Sequence, residues 1–462
     1  MNWNQFYIWG RNLWACLLAP IILFTGATAS VTKLAGAEAI TAARRQYVYD
    51  NGRLLLGAYN CWLLGNSGIL PPLAAQAGLD FLISNVNETF MDQCEAAGIG
   101  VVAAGYNAPS AYWDIKDGTR AAWLGMNTAA YKDHPALWGD DLIDEPTSAE
   151  FGRINGILEH YYTLDTGRIP LVNLFPIYAN NEQLGNAPAV GKLKTWLPAT
   201  IYSDEQLDKY RRHTADYIKT IDTDYISVDI YPYNVDGTMD CWLHNLDILG
   251  QACRDTNRDL WVITQAAGNM KDGGEGNFSK RWCDTLPDQR QQNYASLAFG
   301  AKAIIYACFQ TGWWDDGSHM VTAAGETTGT YDAVRAVNGE MRAFAEKYGD
   351  YRWLGAYTVN PHRMAGLRYN LSNGLPRGER LHVTSCDGLL VGCFAARRGG
   401  GKAYVIVNMM ELLDEKTASF SVDLPKGKAV TVYGGGGSRS YTHGFNMNLA
   451  LAPGDGVFIT VG

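Results

Sequence analysis

The sequence has little charge, and what it has is of the wrong sign for a polyanionic partner. Asp, Glu, Lys and Arg make up 18% of the 462 residues, and the net charge is −9. No Lys/Arg run or basic stripe occurs, which argues against nucleic acid and anionic membrane surfaces as partners. Past the N-terminal segment, no apolar run is long enough for a membrane span of roughly 20 residues. Cysteine is sparse, nine in all, and no C-x-x-C spacing occurs, so neither a zinc site nor a disulfide scaffold is expected. Cys61, Cys94, Cys241, Cys253, Cys283, Cys308, Cys386 and Cys393 read as small buried hydrophobes, with one or two bridges as the alternative. The 50 glycines follow no period, which excludes a collagen-like chain. The eight histidines are dispersed, and neither a His/Asp/Glu metal triad nor a Ser-His-Asp arrangement stands out. No cofactor and no metal is therefore expected. Against these absences stand 47% hydrophobic and 12% aromatic residues, enough to bury large cores. Two or three domains fit the length.

The N-terminus carries its own address. Met1 to Gly10 is polar and aromatic, Arg11 supplies a charge, and Leu13 to Gly26 is almost wholly apolar. Ala27-Thr28-Ala29 follows as a small-x-small cleavage pattern. Residues 1–29 are thus expected to be a secretory signal peptide cleaved after Ala29, and Cys16 leaves with it. The mature chain is then exported, to the periplasm or outside the cell. An uncut membrane anchor is the alternative, for which the apolar core is short.

From residue 54 onward, strand and helix patterns alternate. Strands are expected at 54–60, 81–85, 99–104, 136–144, 169–175, 225–231, 259–265 and 303–309. Helices are expected at 70–77, 88–97, 119–131, 147–164, 203–221, 242–254, 289–300 and 334–348. The strand runs are almost continuously apolar, as in sheets buried on both faces. Eight such units predict a (β/α)8 barrel over 30–350. An open doubly wound sheet is the alternative, but no G-x-G-x-x-G follows the first strand, which disfavours a nucleotide-binding version. After Tyr348, short β runs at 380–384, 389–395, 403–408, 418–422, 429–433 and 456–461 are separated by Gly and Asp turns. They predict a small antiparallel β-sandwich over 351–462, packed on the barrel and supporting it.

Barrel chemistry sits at the carboxyl ends of the strands. Those ends hold Tyr59-Asn60, Asp144-Glu145-Pro146, Asn173, Asp229 with Tyr231 and Tyr233, Gln265, and then Gln310, Trp313, Trp314, Asp315 and Asp316. Carboxylates and amides bond hydroxyls, and aromatic faces pack on the C–H faces of pyranose rings, so the ring suits a sugar. Glycosidic bonds are cleaved by paired carboxyls. Glu145 is the candidate acid, and Pro146 favours an extended backbone there. The competing reading is a glutamate that merely sits at a helix N-terminus. Asp140 and Asp141 lie inside the fourth strand, where simple alternation pairs Asp141 with Glu145 and Asp140 with Asp144. One of them is expected to pair with Lys or Arg.

His134-Pro135-Ala136-Leu137-Trp138-Gly139, followed by Asp144-Glu145-Pro146, resembles the fourth-strand motif of clan A-type barrel glycoside hydrolases. Ile226 to Pro232 and Trp261 to Ala266 are also similar. The resemblance points to a secreted bacterial branch with a C-terminal β-sandwich, and implies Glu145 as the acid/base. In that group the seventh strand ends in a nucleophilic glutamate, whereas this chain has Gln265. An amide cannot be a carboxylate nucleophile. Asp229 is the expected second carboxylate, and Glu275, in a Gly-rich loop, reads more readily as a solvated charge. Tyr59, Asn60, Asp144, Asn173, Tyr231, Gln265, Trp313 and Trp314 are the expected substrate-binding residues. Two functions follow: an exported glycoside hydrolase acting on a poly- or oligosaccharide, or a noncatalytic carbohydrate-binding protein on a degenerate barrel.

Overall fold

The computed structural model describes residues 54–60, 68–104, 133–164, 168–185, 204–270, 279–310 and 314–462, less 368, 369, 372, 385, 436 and 443–445. The expected signal peptide, the helix at 119–131, Cys61, Glu275 and Trp313 lie outside these residues. Eight parallel strands close into a barrel: β1 (Leu55–Tyr59), β2 (Phe81–Ser84), β3 (Gly100–Ala104), β4 (Leu137–Asp144), β5 (Ile169–Leu174), β6 (Tyr225–Ile230), β7 (Asp259–Gln265) and β8 (Ala301–Ala307). Each strand pairs with its neighbours in sequence, and β8 pairs with β1 to close the ring. The helices are α1 (Leu70–Gln76), α2 (Glu88–Ala97), α3 (Phe151–Leu164), α4 (Asp204–Thr220), α5 (Trp242–Thr256), α6 (Leu286–Ala298), α7 (Gly329–Arg342) and α8 (Ala345–Gly349). Several boundaries differ from expectation, and α6 starts at Leu286, capped by Thr285, rather than at 289. Gly300, at φ 87°, turns the chain so that β8 starts at Ala301 rather than 303. The last helix starts at Gly329 and breaks near Phe344 into α7 and α8.

Side chains alternate between the helix layer and the lumen. Leu56, Val101, Val172, Val228, Val262 and Ile304 face out into the core shared with the helices. Phe81, Trp138, Tyr225 and Trp261 face in and floor the lumen, with Tyr225 stacked on Trp261 at 4.2 Å and Phe81 5.8 Å from Trp138. Large rings on some strands require small residues on others. A Cβ at Gly57 would lie 2.3 Å from the Phe81 ring, and one at Gly100 would lie 2.0 Å from Trp138.

β4 breaks simple alternation twice. Its register slips against β3 between Leu137 and Gly139, and against β5 between Asp141 and Ile143. Asp140 consequently faces the helix layer, where it accepts a 2.7 Å hydrogen bond from the Tyr161 hydroxyl on α3. Asp141 faces the lumen and accepts from the Tyr59 hydroxyl at 3.3 Å. Asp144 comes opposite Asn173 on the same lumen side. The parity expected from the sequence, Asp140 with Asp144, is therefore wrong. An extra residue at each irregularity turns every later side chain to the other face.

The C-terminal strands are β9 (Tyr351–Val359), β10 (His382–Val383), β11 (Leu389–Ala396), β12 (Lys402–Asn408), β13 (Ala418–Asp423), β14 (Val430–Gly434), β15 (Gly437–Tyr441), β16 (Asn446–Leu451) and β17 (Gly456–Val461). One antiparallel sheet has the order β9-β11-β12-β17-β14-β15, and the second β10-β13-β16. Val391, Ile406, Phe420, Val422 and Ile459 pack together in their shared core. β9, β15 and β16 fall outside the runs expected from sequence. β15 is an exposed polar edge, Gly-Ser-Arg-Ser-Tyr, with no apolar pattern to mark it.

α6 joins the two parts. Its outer face lies so close to the larger sheet that a Cβ at Gly392 would sit 2.2 Å from the Ala298 carbonyl oxygen. Gln291 Nε2 donates to the carbonyls of Asn408 and Met410 at 3.2 and 3.0 Å. Arg290 bridges Glu340 and Asp455 at 2.5 and 2.7 Å. Trp353 Nε1 donates to the Ala298 carbonyl at 2.8 Å. All seven described cysteines are free thiols. Among the described residues no helix is long and apolar enough to cross a membrane.

Candidate active site

At the carboxyl ends of β4, β5 and β6 the lumen holds three carboxylates around one amide. Asn173 Nδ2 donates to Asp144 Oδ1 at 3.0 Å and to Asp229 Oδ1 at 2.8 Å. Its Oδ1 accepts from Ser227 Oγ at 3.0 Å. Asn173 and Ser227 are fully buried, and the Asn173 amide braces the two carboxylates.

Glu145 is not extended. It sits in the left-handed region at φ 47°, against the preference that Pro146 imposes. Its backbone N–H donates to the Asn173 carbonyl at 2.9 Å. Immediately afterwards the expected capping box forms, with Thr147 N donating to Glu150 Oε2 at 2.8 Å. These contacts hold a conformation that costs roughly 1–2 kcal/mol in a non-glycine residue. In a regular strand, Glu145 would face away from its neighbour Asp144. Instead both Asp229 and Asp144 repel its ionised form.

The three carboxyls hold protons unusually tightly. Burial is the largest cause of the raised Glu145 pKa, followed by repulsion from Asp229 and then Asp144. Burial, then repulsion from Asp144, pushes Asp229 up to about 7, while the Asn173 hydrogen bond opposes the rise. Asp144 is raised by burial, again opposed by Asn173. Like charges this close in a desolvated cleft do not all ionise together. The cluster thus retains a proton near neutral pH, as a general acid must.

Around the carboxyls stand aromatic rings. Tyr231 and Trp314, both half-buried, meet edge to face at 5.3 Å. Lys280 Nζ anchors Tyr231 from beneath, donating to its carbonyl at 2.6 Å and to Asn234 Oδ1 at 2.8 Å. Burial lowers Lys280 to about 7. Asp315 Oδ2 accepts from Trp282 Nε1 at 3.1 Å and from the Met270 N–H at 3.0 Å, tying the loops after β7 and β8 together. Asp316 is exposed and caps Ala323 N at 3.0 Å.

The other expected residues lie differently. Tyr59 donates to Asp141, and Asn60 Nδ2 donates to Ser84 Oγ at 2.9 Å; both are buried. Gln265 is fully buried, and its amide is committed to backbone. Its Oε1 accepts from Tyr233 N at 2.9 Å, and its Nε2 donates to the carbonyls of Arg281, Tyr233 and Ala267 at 2.9, 3.2 and 3.3 Å. It is a strut under the loops. Tyr233 is buried and donates to Gln291 Oε1 at 3.0 Å. His134 sits at the amino end of β4, its Nδ1 accepting from Ala136 N at 3.1 Å, away from this mouth. Ser227, Lys280, Trp282 and Tyr210, which faces Asp229, were not singled out from sequence. For Ser227 a signal existed, because Tyr225, Ser227 and Asp229 share one parity on β6.

No protein-family model matches the sequence, and a search of curated proteins finds no match. Solved structures do match. A glycoside hydrolase family 5 protein from Bacteroides vulgatus is 12% identical, with a TM-score of 0.47 over 90% of this chain and 92% of that one. A glucosidase from Croceicoccus marinus is 10% identical, with a TM-score of 0.42 over 89% and 96%. An endo-β-1,4-mannanase from Thermotoga petrophila is 7% identical, with a TM-score of 0.40 over 86% and 97%. At these identities and TM-scores no role passes from those proteins to residues of this chain.

Proposed function

We propose that the chain is a glycoside hydrolase in which Glu145 is the general acid/base and Asp229 the second carboxylate. The supporting observation is the cluster of Asp144, Glu145 and Asp229, all with raised pKa, at the carboxyl end of a closed barrel. Glu145 delivers its proton to the glycosidic oxygen as the bond from that oxygen to the anomeric carbon breaks. Ionised Asp229 then either attacks the anomeric carbon or removes a proton from the attacking water, and the anomeric form of the first product distinguishes the two. Tyr231 and Trp314 offer ring faces to a poly- or oligosaccharide. A second reading, a noncatalytic carbohydrate-binding protein, is favoured by Gln265, since the β7 end offers a locked amide in place of a carboxylate.

The test is to incubate the purified protein with a panel of polysaccharides and aryl glycosides. Release of reducing sugar that Glu145→Gln suppresses supports the hydrolase; sugar binding without product supports the second reading. We also propose export with cleavage after Ala29. Mass spectrometry of exported protein then finds an N-terminus near Ser30, and an intact 1–29 segment would contradict it.

A further inference from the structure

The geometry points to Ser227 as a positioning residue of this site: its hydroxyl fixes the Asn173 amide so that both amide protons face the Asp144 and Asp229 carboxylates. The inference rests on the reading of this mouth as a site worked by carboxylates. It starts from register. Asn173 on β5 pairs directly with Ser227 on β6, and Ser227 lies one lumen step below Asp229. An asparagine amide has one acceptor oxygen and two donor hydrogens. Here each has a partner: the oxygen takes the Ser227 hydroxyl at 3.0 Å, and the nitrogen gives to Asp144 and Asp229 at 3.0 and 2.8 Å.

Rotating the amide by half a turn would set its oxygen against two carboxylate oxygens and remove two charge-assisted bonds. Ionised carboxylates would resist that rotation by themselves. A protonated one would not, because its own O–H can donate to the amide oxygen. Since this cluster retains protons, the donor beneath it matters. Ser227 weights the amide toward the observed orientation and, by polarising its carbonyl, strengthens both N–H donors. Asn173 opposes the upward push of burial on Asp229, and Ser227 acts through Asn173. The titratable groups facing Asp229 are Asp144 and Glu145 at the end of β4, Tyr210 on α4 and Tyr231 beyond β6. Replacing Ser227 removes none of them, and it reaches Asp144 as well as Asp229, because Asn173 donates to both.

The experiment uses Ser227→Ala in the full chain. The titration of Asp229 is followed by carbon NMR of labelled aspartate, assigned by its loss in Asp229→Asn. Losing the anchored hydrogen bond raises that pKa by about one unit. The acid limb of kcat/KM moves upward with it, so kcat/KM well below the limb falls about tenfold. Ser227→Thr restores the hydroxyl and returns both readouts to wild type. Ser227→Cys fills the same space but donates weakly, and carries the test if the alanine variant fails to fold. A folded Ala or Cys variant in which Asp229 titrates as in wild type overturns the inference. If the protein hydrolyses no glycan yet the NMR titration shifts, the hydrolase reading fails and the Ser227 inference stands.

Discussion

The ends of β4 and β6 and the end of β7 sit on the same ring, but they are built on opposite principles. At β7, Gln265 is satisfied on every side. Its side chain bonds four backbone groups, and its main-chain N–H and C=O are held by Gln292 on α6. At β4 and β6, burial raises all three carboxyls, Asp144 adds to the rise of Asp229, both add to that of Glu145, and Glu145 is held in a left-handed conformation. A network satisfied in full stabilises and rigidifies the chain. A cluster of repelling, desolvated acids costs stability, and such clusters concentrate at functional sites. The proposed function places structure at β7 and reactivity at β4 and β6, and the contrast supports that reading.

The largest effect that can break this contrast is on turnover. Asp229→Asn is expected to lower kcat on both a natural glycan and an activated aryl glycoside, by ~10²–10⁴-fold or more. A rise in KM alone, seen in steady-state kinetics, would reassign Asp229 to sugar binding. Next comes Trp353, which is packed under Gly300 and bonded to α6. Trp353→Ala is expected to cost roughly 3–5 kcal/mol in denaturant unfolding, with kcat unchanged in the folded protein. Gln265→Ala leaves several buried backbone groups without a partner, each worth about 1–3 kcal/mol. Its melting temperature falls while the pH profile of the remaining activity keeps its limbs. A moved limb would place Gln265 in the chemistry after all.

The smallest effect is on stability against pH. Asp229 is raised from an ordinary 3.8 to about 7 in the folded chain, so the folded state binds the proton more tightly than the unfolded one. Stability is therefore fully present below pH 4 and is lost as pH rises through 7. Asp229→Asn removes that loss. Its melting temperature is expected to exceed wild type at pH 8 but not at pH 4, and an equal difference at both would contradict the shifted proton affinity.

Much of this was legible in the sequence, for identifiable reasons. The barrel strands announce themselves because both faces are buried, so their apolar runs are continuous. The Thr147 to Glu150 box marks a helix start through local hydrogen bonds alone. The placement of Asp140, Asp141 and Asp144 was not legible, because both slips of β4 depend on what β3 and β5 present, and Trp138 fits the lumen only beside Gly100. Nor was the left-handed Glu145, whose backbone is held by a carbonyl 28 positions away, that of Asn173. α6 misleads in another way. Gln289, Gln291, Gln292 and Asn293 look like a solvated face, yet all are buried, with partners in β7, the Tyr306 hydroxyl and the sandwich.

The central claim, that Glu145 is the proton donor, is tested most directly by the leaving-group dependence of Glu145→Gln. Glutamine keeps the shape and removes the titrating proton. The ratio of wild-type to variant kcat/KM should be ~10²–10⁴ on a natural glycan, whose leaving group needs protonation, and far smaller on an activated aryl glycoside. Near-full activity of Glu145→Gln on the natural glycan would contradict the assignment and leave the Asp-Glu-Pro motif as the start of a helix.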